Sequence, residues 1–198
     1  MLGYLIQLTT ETLRRPTDAA NTVLGIKLDR KVLWMALALV SVVSVLFTEL
    51  TMLFVPSEMV TGQGPMPSSP LLLGLVIWGL LVVSVFFTHY VGRVFDGQGD
   101  LDGSLKTIIW MQMVLLVLQV GQIALFLISP VLAILFGWLA ALYVFYVFLQ
   151  FVRVLHGFNS LGLVFAGAMI SLFGLIFGIA IAIGLIAAIF GLEVGANV

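Results

Sequence analysis

Five long apolar stretches divide the chain into six polar pieces. They run from Leu33 to Phe54, Leu71 to Val91, Thr107 to Ile128, Val131 to Phe151 and Leu163 to Phe190. Each exceeds the roughly 17 residues needed to cross a hydrocarbon core about 30 Å thick, so the pattern predicts five transmembrane helices. Between the third and fourth, only Ser129 and Pro130 interrupt the apolar run. One helix of that length would overshoot the bilayer, and Pro130 removes a backbone donor, so a tight helical hairpin is expected there. The last run is longer than one crossing needs; it is expected to tilt or to lay its first turns in the interface.

Ahead of these spans the periodicity is amphipathic. Leu2, Leu5, Ile6 and Leu13 recur at near-helical spacing opposite Gln7, Thr9, Thr10 and Glu11. Arg14 and Arg15 close that segment at the end where cations suit a helix dipole. Pro16 then opens a second short helix with Thr17 and Asp18 in its first turn, and Gly25 is a plausible stop. Asp29 is placed to cap the first span. Residues 1–32 are therefore expected to form amphipathic lead-in helices on the cytoplasmic face of the bilayer, and residues 33–198 the five-span domain. The fold class that follows is all-α: a polytopic membrane protein, a five-helix transmembrane bundle preceded by amphipathic interfacial helices.

Composition agrees with lipid as the solvent. Of 198 residues, 62% are hydrophobic and only 9% charged, with a mean hydropathy of +1.26, too little polar surface to enclose a water-soluble core. Cys is absent, which removes disulfides, Cys-ligated metals and thiol nucleophiles. The segment MLGYLIQLTTETLRRP has neither a basic region ahead of its apolar part nor a small-residue cleavage site, so it is expected to be retained.

Charge adds orientation. Arg14, Arg15, Lys27, Arg30 and Lys31 lie in the first polar piece, Arg93 and Lys106 in the third and Arg153 in the fifth, while the second, fourth and sixth hold no basic residue. This positive-inside alternation predicts a cytoplasmic N-terminus and a C-terminus on the other side. Topology thereby accounts for the basic residues, and with a net charge of -1 no nucleic-acid partner is expected.

Chemistry, if present, should show as polar groups inside the spans, where an unpaired group is costly. Tyr143, Tyr146, Gln150 and Arg153 share one face of the fourth span, Gln112, Gln119 and Gln122 one face of the third, and Ser41, Ser44, Thr48 and Thr51 one face of the first. Such stripes either line a shared groove or bond to one another as interhelical glue. Glu49 is the one carboxylate within an apolar span; it is either solvated at the outer headgroups or a proton- or cation-binding group. At the inner edge, His89, Arg93, Asp96, Arg153 and His156 are expected to form an interfacial polar cluster with Asp96 as counter-ion.

The loop holding Asp96, Gly97, Gly99, Asp100, Asp102 and Gly103 lacks the closing Glu of a calcium loop. It is expected to be a flexible turn in which Ser104 or Asp102 caps the third span. Two His without a third ligand make a weak metal case, and no cofactor is expected. On the fifth span, Gly167, Ser171, Gly174, Gly178 and Ala182 form a stripe of small residues suited to close packing, within the chain or against a second copy.

With its RRPTDAANTVLG lead-in, the inner loop running into FDGQGDLDGSLKTIIWMQ, the hairpin at LISPVLA and the VLHGFNSLGLVF segment, the chain resembles the bacterial branch of the Yip-domain family over nearly its whole length. The resemblance implies a five-span integral membrane protein of the bacterial inner membrane with a cytoplasmic N-terminus. Eukaryotic relatives bind Rab-type small GTPases. Their Asp-Leu-Tyr-Gly-Pro motif and long cytoplasmic tail are missing here, so GTPase binding does not carry over. HExxH, GxSxG and P-loop motifs and paired intramembrane carboxylates are also missing, and an enzyme is not expected. Two functions remain. One is a scaffold or accessory subunit contacting membrane lipids and a larger assembly or a second copy; the other is a small transporter or lipid-translocating protein with Gln112, Gln119, Gln122, Tyr143, Tyr146 and Gln150 along its path.

Overall fold

The computed structural model describes residues 2–53 and 69–190, and among these every regular element is a helix. In chain order they are α1 (Leu2–Arg14), α2 (Pro16–Gly25), α3 (Arg30–Met52), α4 (Pro70–Val94), α5 (Leu101–Phe126), α6 (Pro130–His156) and α7 (Leu161–Phe190). Helices α3 to α6 are each long and apolar enough to cross a membrane. The fifth expected crossing falls on α7, which is helical over 30 residues with no acidic residue in its first turn and no basic residue in its last. The turn-rich connector expected from Pro56 to Pro70 lies, apart from its last two residues, outside the described residues.

Helix ends follow local chemistry. Pro16 and Pro130 each occupy the first turn of a helix, where a missing N–H costs nothing. The hairpin between α5 and α6 is as tight as expected, with Ser129 Oγ accepting from Leu132 N. Two ends differ from expectation. Helix α5 starts at Leu101, well before Thr107, because Asp100 and neither Asp102 nor Ser104 is its cap: Asp100 Oδ1 accepts from the Gly103 N–H at 2.8 Å. Asp102 is thereby left to pair with Arg30. Helix α6 continues past Phe151 to His156 and closes on Gly157, whose φ of 71° few other residues adopt. Gly157 N–H then donates to the Val154 carbonyl and Phe158 N–H to that of Arg153, a Schellman ending. Asp29 stands at the N-cap of α3 but makes no side-chain capping bond.

Two apolar clusters hold the bundle, and α5 contributes to both. Leu105, Ile108 and Ile109 pack with Leu33, Leu37 and Val40 of α3 and Val85 of α4. Trp110, Met111 and Val114 pack with Val144, Val147 and Phe151 of α6 and with Leu8, Ala19, Ala20 and Val23 of the lead-in helices. Helix α5, which enters both clusters, sits in the middle of the bundle.

The lead-in is more than a surface-lying segment. Helices α1 and α2 form a hairpin docked along α5 and α6, with Thr12, Ala19 and Ala20 fully buried. Three polar bonds fix it. Trp110 Nε1 donates to Thr12 Oγ1 at 2.9 Å, Tyr143 Oη donates to the Leu13 carbonyl, and Lys106 Nζ donates to the Leu24 carbonyl at 2.9 Å. Thr12 donates in turn to the Leu8 carbonyl, so its oxygen is free to accept only.

Replacing Thr12 with the isosteric Val leaves the buried Trp110 N–H without a partner, a penalty of about 1–3 kcal/mol. The expected result is several-fold faster tryptic cleavage after Arg14 in detergent, with global helicity unchanged. Identical cleavage kinetics would mean that the hairpin is held by something else.

Candidate functional site

The inner loop is built around one side chain. His156, at the end of α6, is 2% exposed, and both ring nitrogens meet backbone. Its Nδ1 accepts from the Gly99 N–H at 3.2 Å, which leaves the proton on Nε2, facing the Thr88 carbonyl at 3.1 Å. Its own carbonyl accepts from Gln98 N–H at 3.1 Å, and the ring stacks on Phe158 with centroids 5.5 Å apart. His156 is thus a neutral clasp joining α4, the inner loop and α6.

This clasp explains the glycines. A Cβ at Gly97 would lie 2.5 Å from His156 Nδ1 and one at Gly99 2.6 Å from its Cε1, while one at Gly92 would overlap the ring. Gly103 is constrained likewise, by Leu155. The strip read as a flexible turn is a close-fitting wrap, and its glycines permit approach. The spacing of Gly92, Gly97, Gly99 and Gly103 ahead of a His-Gly pair was the available signal.

The other predicted members of the inner-edge cluster do not gather on this ring as an ion network. His89 is half-buried, its Nδ1 enclosed without a partner, and its ring meets Tyr90 edge-on at 5.1 Å. Arg93 and Asp96 are exposed and Arg153 is half-buried. The counter-ion role expected of Asp96 is overturned: the ion pair found among the described residues is Arg30 Nε to Asp102 Oδ1 at 2.6 Å. Asp96 instead makes the left-handed turn after α4, with φ 60°. Among the described residues no three His, Asp or Glu side chains come together as a metal site, and both nitrogens of His156 are already engaged.

Within the spans the polar stripes meet as struts. Gln112 Nε2 donates to Ser44 Oγ at 2.7 Å and Gln119 Nε2 to Thr51 Oγ1 at 3.0 Å, two rungs between α5 and α3. Gln122 Nε2 donates to the Ala133 carbonyl of α6 at 3.2 Å. The α6 stripe serves a different partner. Tyr143 holds the lead-in, its ring 5.9 Å from that of Tyr146, and Tyr146 Oη accepts from Gln150 Nε2 at 2.9 Å. Gln150 Oε1 is buried without a partner. Glu49 stands on the exposed side of α3, apart from these groups.

Among the described residues helix α7 packs chiefly on α6 and α4. Gly167 sits against Phe95, where a Cβ would be 3.3 Å from the ring, and Phe165 meets Phe145 edge-on at 6.4 Å. Ser171 is half-buried, whereas Gly174 faces open space, so among the described members of the small-residue stripe the close packing is at Gly167. Gly178 and Ala182 continue the helix, and their surroundings lie outside the described residues.

Comparison with known proteins adds one finding: the model of a family, the Yip1 domain, matches residues 10–191. That range takes in most of the docked hairpin, the glycine wrap and every long apolar helix. No curated protein and no solved structure matches the chain.

The clasp gives a sharp contrast between two glycines of α4. Gly92→Ala drives a methyl into the His156 ring and is expected to destabilise by at least about 2 kcal/mol, at the upper part of the range for overpacking. Gly79→Ala meets nothing within 4 Å and should be neutral or slightly stabilising. Thermal unfolding in detergent, followed by circular dichroism, separates them; equal midpoints would remove the clasp from the account.

Proposed function

The chain belongs to the Yip1 domain family, and on that footing we propose that this multi-pass membrane protein works as a non-enzymatic scaffold or accessory subunit of a bacterial inner membrane. The observation that carries the reading is the use of the intramembrane amides. Gln112, Gln119 and Gln122 tie helices together, and Tyr143 ties the lead-in to the bundle. Their directions diverge: the α5 stripe turns to α3 and the hairpin carbonyl, the α6 stripe to α1. Among the described residues the two stripes therefore bond to different neighbours, not to each other.

Orientation follows from charge. The Arg30–Asp102 pair, the Lys106 bond to Leu24 and the Gln98 bond to His156 bring the basic first, third and fifth polar pieces to one end of the bundle. By the positive-inside rule that end is cytoplasmic. The N-terminal hairpin, the glycine wrap and the His156 turn then share the face that a cytoplasmic partner meets.

A groove of about 240 Å³ lined by Gln112, Gln119, Gln122 and Ala140 favours the second reading, a small lipid-translocating protein. Reconstitution decides between them. Proteoliposomes are expected to scramble fluorescent phospholipid no faster than empty vesicles, with Gln119→Leu and Tyr146→Phe indistinguishable from the unaltered chain. Scrambling above the empty-vesicle rate that Gln119→Leu abolishes would replace the scaffold reading with translocation.

A further inference from the structure

Three bonds set the depth of the lead-in hairpin. Lys106, which holds the Leu24 carbonyl, is five residues from the start of α5, and Trp110, which holds Thr12, is nine. Tyr143, which holds the Leu13 carbonyl, is thirteen residues from either end of α6. At 1.5 Å per residue these levels lie about 8, 14 and 20 Å from the basic end of the bundle. The hairpin therefore enters from that end with its corner, Arg14-Arg15-Pro16, pointing inward. Arg153, the one Arg or Lys of α6, is ten residues beyond Tyr143. That is about 15 Å, half of a hydrocarbon core about 30 Å thick. Side chains on a helix lean toward its N-terminus, which for α6 is the outer end, so the Tyr143 hydroxyl does not reach back toward the cytoplasm.

The corner is charged. Arg14 and Arg15 are exposed, and among the described residues neither side chain has an ion pair or a hydrogen bond. With Gln7, Thr10 and Glu11 they line an open recess of about 490 Å³. Gln7, Thr10, Glu11 and Arg14 share one face of α1 by their spacing, while Leu8 and Thr12 are buried against the bundle. A guanidinium group does not give up its proton, so two positive charges stand against the one carboxyl group of Glu11. An excess of at least one positive charge remains. On a wet surface that excess is solvated; beside acyl chains it is costly unless an anion meets it.

We infer that this recess binds the phosphodiester of an anionic phospholipid, such as phosphatidylglycerol, drawn below the level of the surrounding headgroups and held by Arg14 and Arg15. Planar guanidinium groups bond phosphate oxygens in pairs. The bilayer itself supplies that anion, on a molecule whose acyl chains already lie at this depth. Net charge decides between lipids: a zwitterionic headgroup brings its own cation and leaves the excess in place, and a lipid without phosphate offers the guanidinium groups no anion. Thr10 has committed its hydroxyl hydrogen to the Ile6 carbonyl, so the neutral side-chain donor left on this face is the Gln7 amide. The inference goes beyond the scaffold reading and does not rest on it, since neither arginine side chain bonds within the fold.

The test has two readouts on the full-length protein. Because the chain has no Cys, Thr17→Cys gives a single site for a fluorophore beside the corner. In nanodiscs, lipids spin-labelled in mid-chain are expected to quench it more than lipids labelled at the headgroup; the reverse order would put the corner at the surface and overturn the recessed site. Native mass spectrometry then reads the ligand. Phosphatidylglycerol is expected to be retained about tenfold more than phosphatidylcholine or diacylglycerol with the same chains, as charge-assisted hydrogen bonds imply. The double variant Arg14→Gln, Arg15→Gln should lower that retention about tenfold at an unchanged melting temperature. Lys27→Gln with Lys31→Gln, which removes two exposed charges of the same polar piece, should leave it unchanged. Equal retention of the three lipids would overturn the assignment. So would an equal loss in the lysine and arginine variants, which would reduce the site to the general attraction of a basic surface.

Discussion

Hydrocarbon gives a buried polar group nothing to bond to and gives apolar helices no reason to leave it. Everything that holds this bundle together answers that constraint. Helices must approach closely enough for dispersion to count, and a polar side chain in the spans is stabilised by a partner inside the protein, which Thr88 Oγ1 and Gln150 Oε1 do without. The first condition places glycine and alanine where backbones meet rings, as at Gly92 beside His156 and Gly167 beside Phe95. The second sends Ser44, Thr48 and Thr51 hydroxyls back to their own helix carbonyls and the glutamine amides across to them. Each interhelical bond contributes about 0.6 kcal/mol, less than a large buried side chain, yet it fixes which face of α5 turns to α3.

Helix α5 is the member on which both conditions converge. Its start is pinned by Asp100, its apolar residues enter both clusters, and its glutamines reach α3 and α6. The lead-in hairpin gains order from it through Trp110 and Lys106. Helix α7, by contrast, touches α6 and α4 through ring and glycine contacts, and among the described residues no side-chain hydrogen bond joins it to another helix. Local stability should therefore fall from α5 outward, with α7 the element that separates most readily.

The first four crossings and their order were legible in the sequence because span length and hydropathy are summed over about twenty residues, and no single contact can override them. The Pro130 hairpin and the Gly25 stop were legible for a local reason: backbone chemistry settles them within one turn. The polar stripes could be seen on their faces, and the pairing of the α3 and α5 stripes was one of two open outcomes. What a stripe binds depends on which neighbour lies opposite. Nothing in the spacing of Tyr143 and Gln150 says that α1 returns to meet them. The glycine strip misled for a related reason. Glycine marks both freedom and close approach, and only the position of His156, nearly sixty residues later in the chain, distinguishes the two. Asp96, expected as a counter-ion, instead forms the exposed left-handed turn after α4 and makes no ion pair among the described residues.

The basic end shows which kind of bond carries weight. Its one ion pair among the described residues joins an Arg30 side chain 60% exposed to an Asp102 side chain 29% exposed; pairs so placed add little and are screened by salt. The His156 clasp is enclosed, neutral and bonded to backbone on both nitrogens, so ionic strength does not reach it. A face crowded with Arg and Lys side chains is thus assembled chiefly by uncharged groups. Lys106 and Arg30 are engaged within the fold, and the exposed Arg93 is left to face headgroups and partners.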